Sequence, residues 1–160
     1  MHRSIGPLAA LSIALAGCSQ PTAAPQPAAA VDVKAIEAQA HGGYVAAINS
    51  NDVETLMADL TDDVVYQAPG APEVVGKAAV RAWVADYLGA YTAKWEKTSI
   101  GFTVAGDWAF ERYTYKSTDT DRKTGAVATD VGKGVNVYRR GADGTWRVAV
   151  DGWSSDKPAG

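Results

Sequence analysis

Two side chains near the end of the chain, Asp151 and Trp153, combine a titratable group with a large apolar ring. They lie two residues apart in a segment of alternating character, and residues i and i+2 of a strand share one face of its sheet. A carboxylate enclosed beside an indole is a candidate general acid or base. The alternative is that Asp151 pairs with Arg112 or Arg147 and only stiffens the sheet.

The preceding segment of alternating residues offers a second polar group, the amide of Asn136. Period-two alternation places Asn136 on the same face as Gly132 and Gly134, because side chains alternate between the two faces of a strand. Two glycines beside an amide leave room for a ligand, or they mark the position where the sheet bends. The pattern leaves both alternatives open, and Asn136 is a candidate site residue.

Aromatic side chains that could enclose an apolar ligand are spread over the middle and the end of the chain. Large rings supply buried area with defined geometry, as small-molecule pockets require. The candidate ligand-binding residues of this group are Tyr66, Trp83, Phe110 and Trp153, with Trp95 as a further wall and Arg112 from the strand of Phe110. The alternative is that most of these rings only fill the core, while Trp108 and Trp146 cover outer surfaces or a dimer interface.

Composition argues against several classes of function. The net charge is −3 at pH 7 and the pI is about 5.3; Lys and Arg form no basic stripe, so we expect no nucleic-acid partner. With His2 and His41 as its only histidines, the chain has little material for a histidine metal site or a Ser-His-Asp triad. The acids Asp119, Asp121 and Asp130 could suggest a cation site, but the turn from Asp119 to Lys123 has the mixed charge of an ordinary solvated hairpin,. We therefore expect neither a metal ion nor another cofactor.

The beginning of the sequence has the layout of an export signal. Arg3 is followed by an apolar stretch that starts at Ile5 and by small residues before Cys18, the single cysteine. A positive start, a short apolar region and a small-residue cleavage site are typical of a secretory signal peptide. We expect residues 1–17 to form this signal.

The four residues LAGC that end at Cys18 resemble the lipobox of bacterial lipoproteins. This resemblance implies lipidation of Cys18 and an exported protein that is anchored by its lipid to the cell envelope. Ser19 follows the cysteine, which by resemblance to the sorting pattern of Gram-negative lipoproteins implies the outer membrane. Residues 18–31 are rich in Pro and Ala and are expected to form a tether.

Residues 32–156 are predicted to form one α+β domain. Apolar residues recur at helical spacing over 33–50 and 76–92, and Asn51 is expected to cap a short helix between them. The period then changes to two over four longer segments, near 94–105, 108–117, 126–140 and 145–154, after a shorter strand at 64–68. Helices first and an antiparallel meander afterwards indicate helices packed on one face of a curved sheet.

Several short motifs resemble the nuclear-transport-factor-2-like (NTF2-like) superfamily. They are the tract YVAAINSNDVE from Tyr44, TDDVV from Thr61 and the Gly76-Lys77 helix start. Near the end of the chain, the pairs GK at 132–133 and DG at 143–144 and the triplets WRV at 146–148 and DGW at 151–153 are similar to the SnoaL-like or DUF4440 branch and to ketosteroid isomerases. The resemblance implies a cone in which a strongly bent sheet wraps a helix and leaves a pocket, and it implies that two copies pair as a homodimer.

The resemblance to ketosteroid isomerases also implies roles for individual residues. Tyr44 matches the tyrosine that donates a hydrogen bond to the substrate oxygen, and Asn136 matches the second donor. Ala68 stands where the family has its general base, and an alanine transfers no proton. The oxygen-binding half of such a site is therefore expected to remain, with Tyr44, Asn136 and Asp151 as the candidate catalytic residues.

Three functions remain open at this stage. The first is a binding module that holds a small, mainly apolar molecule with a polar oxygen between Tyr44 and Asn136. The second is an enzyme of the isomerase, cyclase or hydrolase kind that uses Asp151 as a relocated acid or base. The third is a non-catalytic interaction domain of the cell envelope.

Overall fold

The computed structural model describes residues 30–158; the expected signal peptide, Cys18 and all but the end of the tether lie outside the described residues. The helices are α1 (Val33–Asn49), α2 (Val53–Ala58) and α3 (Lys77–Ala90). The strands are β1 (Leu60–Gln67), β2 (Val74–Val75), β3 (Tyr91–Ala105), β4 (Trp108–Asp121), β5 (Val127–Arg140) and β6 (Trp146–Ser155). Within the described residues, no helix combines the length and the apolar character needed to cross a bilayer.

All six strands belong to one sheet with the order β2-β1-β6-β5-β4-β3. Strands β3 to β6 form the antiparallel meander that the sequence predicts. Strand β1 then pairs parallel with β6 and antiparallel with the two-residue β2, a pairing that the local sequence does not indicate. The predicted α+β class, with N-terminal helices on a curved sheet, is confirmed.

Helices α1 and α3 cover one face of this sheet, which we call the inner face. Their buried residues are Ala40, Tyr44 and Ala47 from α1 and Val80, Val84 and Leu88 from α3. These side chains share one core with residues of β1, β4 and β6. Burying one valine or leucine side chain contributes about 1.5 to 3 kcal/mol, so packing against the sheet, rather than intrinsic helix propensity, holds both helices.

The junction between α1 and α2 differs from the prediction at one residue. Asp52, not Asn51, caps α2, and its carboxylate accepts a hydrogen bond from the Thr55 amide at 2.8 Å. Asn51 adopts φ 55°, and its side chain exchanges two hydrogen bonds with the backbone of Ala93, at 2.7 and 2.9 Å. Asparagine tolerates this left-handed conformation. The Asn51 side chain therefore links the junction between the two helices to β3 through its hydrogen bonds with Ala93.

A bulge in β6 changes which side chains face inward. Val137 of β5 pairs with Val150, whereas Tyr138 pairs with Val148, so one extra residue of β6 lies between the two pairs. A bulge of this kind interrupts the alternation of faces. Trp146 therefore faces the core and is only 6% exposed. For the same reason Arg147 does not share a face with Asp151, and the alternative that Trp146 covers an outer surface or a dimer interface is wrong.

The two glycines of β5 make room for aromatic rings rather than for a ligand. Gly132 pairs with Tyr115 and Gly134 pairs with Tyr113 on β4. A Cβ atom at either glycine would collide with the ring of its partner. Cross-strand contact between an aromatic ring and a glycine is a known way to pack such positions. The space that the sequence left open beside Asn136 is filled by these phenol rings.

Candidate functional site

A cavity of about 280 Å³ lies between the two long helices and the inner face of the sheet. Its aromatic lining comes from Tyr44, Tyr66, Trp83, Tyr87, Trp95, Tyr115 and Trp153. Apolar side chains of both helices complete the walls, including Ile48 and Val84. Its polar lining includes Ser117, Asp119, Asp130 and Asp151.

The indole of Trp153 lies at the centre of the aromatic wall. Its ring centroid is 6.0 Å from Tyr66, 6.2 Å from Trp83 and 6.2 Å from Trp95, and the rings meet at steep angles. Trp95 in turn stacks on Tyr115 at 4.7 Å. Edge-to-face contacts are a favoured geometry for aromatic pairs. The rings therefore support one another as a wall and still leave a hollow beside them.

Asp151 lies in the cavity wall, is only 5% exposed, and is held by phenols instead of arginines. The Tyr44 hydroxyl donates to Oδ2 at 2.7 Å and the Tyr113 hydroxyl donates to Oδ1 at 2.8 Å. The Tyr66 hydroxyl lies 2.9 Å from that of Tyr44. Since the single proton of Tyr44 is directed at Asp151, Tyr66 is the donor in that second contact. The ion pair with Arg112 or Arg147 does not form, and Arg147 binds Asp143 instead.

The three phenols of this group stay protonated. Burial raises the pKa of Tyr44, Tyr66 and Tyr113 well above the ordinary value, and the negative charge of Asp151 raises each of them further. A protonated phenol is both a donor and an acceptor. Because the donor capacity of Tyr44 is directed at Asp151, the cavity presents acceptors rather than donors at this point.

Two further carboxylates line the cavity, and hydroxyl groups bind both of them. Asp119 accepts a hydrogen bond from the Tyr87 hydroxyl at 2.5 Å. Asp130 accepts from Tyr115 and from Ser155, each at 2.7 Å. Burial raises the pKa of Asp119. Burial acts in the same direction on Asp130, but the bonds from Ser155 and Tyr115 outweigh it and lower the pKa of that carboxyl.

Beside the cavity lies a second group of polar residues, which we call the inner network: His41, Lys97, Glu111, Asn136 and Tyr138. Lys97 Nζ donates to Asn136 Oδ1 at 2.8 Å. The Glu111 carboxylate lies 2.6 Å from His41 Nδ1 and accepts from the Tyr138 hydroxyl at 2.6 Å. The buried members carry charges of both signs, so the network can be neutralised from within the protein.

The charges of the inner network shift one another's pKa values. Burial lowers the pKa of Lys97, although the charges of Asp151 and Glu111 oppose that shift. Burial alone would raise the pKa of Glu111, but contacts with His41 and Tyr138 outweigh it and the pKa is lowered. Lys97 also lies 3.6 Å from the ring centroid of Tyr113, a cation–π distance.

Of the predicted ligand-binding residues, the structure brings five together around the cavity: Tyr44, Tyr66, Trp83, Asp151 and Trp153. Asn136 is fully buried and belongs to the inner network instead of the cavity lining. Asn136 is absent from the cavity lining and the single proton of Tyr44 is directed at Asp151, so the two residues do not face the cavity together as a pair of donors.

Phe110 and Arg112 were also predicted to bind the ligand, and the structure places them on the opposite, outer face of the sheet. Both alternate along β4 with the buried residues Glu111 and Tyr113. Phe110 is 45% exposed, and the Arg112 guanidinium lies over Gly101. The period of β4 was correctly predicted, but the sequence alone did not indicate which of its two faces was inward.

Sequence reasoning did not identify several residues of the site: Tyr87, Lys97, Glu111, Tyr113 and Asp119. The alternation of Glu111 and Tyr113 with exposed residues was a usable signal once the inward face of β4 was known. Lys97 gave no such signal, since a lone lysine in a strand is ordinarily exposed. Within residues 30–158, no group of three or more His, Cys, Asp or Glu side chains is placed to hold a metal ion.

The fold of this domain recurs in solved structures. The ketosteroid isomerase-like protein of Erwinia carotovora atroseptica is similar with a TM-score of 0.70 and 28% identity, over 79% of this chain and 97% of that one. An NTF2-like superfamily protein of Salmonella enterica serovar Typhimurium has a TM-score of 0.66 and 18% identity, over 80% and 94%. An NTF2-like protein with a cystatin-like fold from Novosphingobium aromaticivorans has a TM-score of 0.63 and 19% identity, over 79% and 84%.

The family assignment rests on a sequence model of the SnoaL-like domain. This model matches residues 42–149, which extend from the middle of α1 into β6 and include most of the cavity wall. No curated protein matches the sequence. The fold, the motifs and the extent of this match together show that the chain belongs to the SnoaL-like domain family, within the NTF2-like fold.

Proposed function

We propose that the cavity binds a small, mainly apolar molecule with a polar group that donates a hydrogen bond. The family binds small molecules or acts as isomerase or dehydratase. The observation that carries the proposal is the aromatic hollow with the Asp151 carboxylate in its wall. A ligand oxygen fits as a hydroxyl that donates to Asp151, since Tyr44 already directs its proton there.

The dimensions of the cavity support a compact ligand. Drug-sized ligands occupy pockets of about 300 to 1,000 Å³, and this cavity, at about 280 Å³, lies at the lower limit. Apart from the carboxylates, Ser117, the tyrosine hydroxyl groups and the tryptophan N–H groups, the described side chains that line it are apolar. A molecule of one ring with a short polar substituent suits this space better than an extended, polar one.

Binding can be tested by filling the cavity with a larger side chain. Ala68 lines the cavity and Ala71 is exposed in the following loop, so Ala68→Phe and Ala71→Phe form a matched pair. We expect compact aromatic alcohols, from phenol to 2-phenylethanol, to change the tryptophan fluorescence of the wild type and of Ala71→Phe. The response should be at least tenfold weaker in Ala68→Phe. Equal responses in both variants, or no binding by any of these alcohols, would contradict the proposal.

An enzyme that uses Asp151 as acid or base is the second candidate. It is favoured by the hydrogen-bonded series from Tyr66 through Tyr44 to Asp151, which could accept a proton from a ligand and redistribute it. Ala68 argues against this candidate. It lines the same cavity, and it stands at the position where isomerases carry their general base. Asp151→Asn should abolish turnover and preserve binding, because asparagine keeps the size of the side chain and loses its basicity. An active Asp151→Asn protein would exclude this role.

We also propose that Cys18 anchors the protein to the cell envelope, in the outer membrane. The support is the LAGC motif followed by Ser19. Cys18→Ser should move the protein from the membrane fraction to the soluble fraction, whereas Ser19→Ala should leave it with the membranes. A Cys18→Ser protein that still sediments with the membranes would show that something other than a lipid on Cys18 holds it.

The outer face of the sheet supports a proposed homodimer. Ile100, Phe110, Val131 and Val135 are all exposed to at least 45% on strands β3 to β5. Exposed apolar residues on one face commonly mark an interface. Phe110→Glu should convert a dimer to a monomer in sedimentation experiments, whereas Val75→Glu, an exposed change on β2, should not. An unchanged mass for Phe110→Glu would argue against this interface.

A further inference from the structure

We propose that the ligand of the cavity is an organic cation, an ammonium group with apolar substituents. This inference rests on the proposed function, that the cavity binds a small molecule, and it adds the charge of that molecule. It is supported by the charges in the cavity wall, by the rings beside them and by the way the same domain already holds a buried cation.

Three carboxylates line the cavity. Asp119, Asp130 and Asp151 all contribute to the wall. Among the described residues that line it, none is Lys, Arg or His. A concave, poorly solvated site lined by charge of one sign attracts a ligand of the opposite sign.

Neutral hydroxyl groups are the hydrogen-bond partners of these carboxylates. Tyr87 binds Asp119, Tyr115 binds Asp130, and Tyr44 binds Asp151. Such bonds stabilise a carboxylate but do not neutralise it. Each carboxylate therefore keeps a negative charge that attracts a cation in the cavity, whether or not the nitrogen of that cation carries a hydrogen.

The protein's own cations lie outside the lining. Lys157 lowers the pKa of Asp130 through its charge, but its Nζ is bound to the carbonyl of Thr129. Burial lowers the pKa of Lys97 and the charge of Asp151 opposes this shift, but Lys97 Nζ is bound to Asn136 in the inner network. Neither side chain lines the cavity itself.

The rings of the cavity wall have the chemistry of a cation site. Tryptophan is the best aromatic partner of an organic cation, followed by tyrosine, and cages of these rings hold quaternary ammonium groups. Trp83, Trp95 and Trp153 all line the cavity, with Tyr87 and Tyr115 beside them. Apolar substituents on the nitrogen would meet the aliphatic parts of the same wall.

The inner network shows how this domain accommodates a buried cation. Lys97 Nζ lies 3.6 Å from the ring centroid of Tyr113 and 4.7 Å from that of Tyr44. Both of these phenols are bonded to Asp151. Two phenol rings and the Asn136 amide oxygen therefore surround an ammonium group there, and the carboxylate of Asp151 is bonded to both phenols. The cavity likewise has aromatic rings and carboxylates bonded to phenols, and the ammonium group is the component that a ligand would supply.

Two probes of equal shape test the charge directly: phenyltrimethylammonium and its neutral carbon analogue, tert-butylbenzene. We expect the purified wild-type protein to bind the cation at least tenfold more tightly, as measured by tryptophan fluorescence and calorimetry. The double variant Asp119→Asn, Asp130→Asn should lose this preference and still bind tert-butylbenzene, which also reports that its cavity is intact. Asp156→Asn, an exposed change at a residue outside the lining, should behave as the wild type.

The outcomes separate this inference from the proposed function. If tert-butylbenzene binds as tightly as the cation, the cavity is a small-molecule site but not a cation site, and only the inference is overturned. If the preference for the cation persists in the double variant, Asp119 and Asp130 are not its source and the inference is also overturned. If neither probe nor any of the aromatic alcohols binds, both the inference and the proposed function are wrong.

Discussion

The inner network and the cavity lie next to each other on the same face of the sheet, yet the charged side chains of the two regions have different partners. Along β4, Glu111 belongs to the network, whereas Asp119 belongs to the cavity. Along β5, Asn136 belongs to the network and Asp130 to the cavity. The network contains cationic and anionic side chains that face each other. The cavity contains carboxylates with neutral partners.

This difference indicates what each region contributes. A buried charge without a partner is costly, so the partners of Glu111 within the network make it a structural unit. Two carboxylates of the cavity, Asp119 and Asp130, are less enclosed and keep part of their contact with water, whereas Asp151 is buried. The domain can therefore fold with the cavity unoccupied, and a ligand can supply the missing positive charge later.

Removing the cation of the network should have the largest effect on stability. In Lys97→Met, Glu111 and Asp151 lose a neighbouring buried positive charge, and breaking such a group costs about 3 to 5 kcal/mol. Urea unfolding measures the change. Lys116→Met, on the exposed face of β4, is the matched control and should change the free energy of unfolding by about 0.5 kcal/mol or less. Equal values for the two variants would show that the network does not stabilise the fold.

Removing one donor to Asp151 should have an intermediate effect. Tyr113 is fully buried and bonded to Asp151 Oδ1, so Tyr113→Phe should cost about 1 to 3 kcal/mol, the range for leaving a buried acceptor without a partner. Tyr87→Phe removes the corresponding bond to Asp119, which is only partly buried, and should cost less. Thermal or urea unfolding distinguishes the two. A larger loss in Tyr87→Phe would contradict the expectation that the more deeply buried of these two cavity carboxylates depends more on its donor.

Much of the fold could be predicted because its signals are local. The helical spacing from Val33 predicts α1 with an end one residue from the observed one, and period-two alternation predicts the meander. The parallel pairing of β1 with β6 was not predictable in this way, because no local pattern encodes which distant strand becomes a neighbour. The bulge near Ala149 was missed for a related reason, since it is visible only in the register of β6 against β5.

The site was predicted less completely than the fold. Aromatic residues such as Trp83 and Trp153 were identified from their type alone, and the structure places both in the cavity wall. Lys97 and Glu111 were missed because a charged residue in a strand is usually exposed. The side chains of Lys97 and Glu111 belong to one network only because Glu111 pairs across the strands with Asn136 and because the sheet bends. Residues that meet because two strands pair in a particular register leave no recognisable pattern in the sequence of either strand alone.

The smallest effect is expected at an ion pair outside both regions. Arg139 donates two hydrogen bonds to Asp63, at 2.6 and 2.9 Å, and Arg139 lowers the pKa of Asp63 from 3.8 to about 2. Both side chains are largely exposed, so water screens the pair and its contribution should be about 0.2 to 1 kcal/mol. Asp63→Asn should therefore lower the free energy of unfolding at pH 7 by no more than this.

The stabilisation by the Asp63–Arg139 ion pair depends on pH in a direction that follows from the lowered pKa of Asp63. Because the folded state holds the Asp63 proton more weakly than the unfolded chain does, the stabilisation is complete above the ordinary pKa of 3.8 and is lost as the pH falls towards about 2,. The difference in stability between wild type and Asp63→Asn should shrink over that interval. If Asp63→Asn instead costs as much as Lys97→Met, charge pairing at the surface matters as much as it does in the network. The distinction between the two buried regions would then lose its energetic basis.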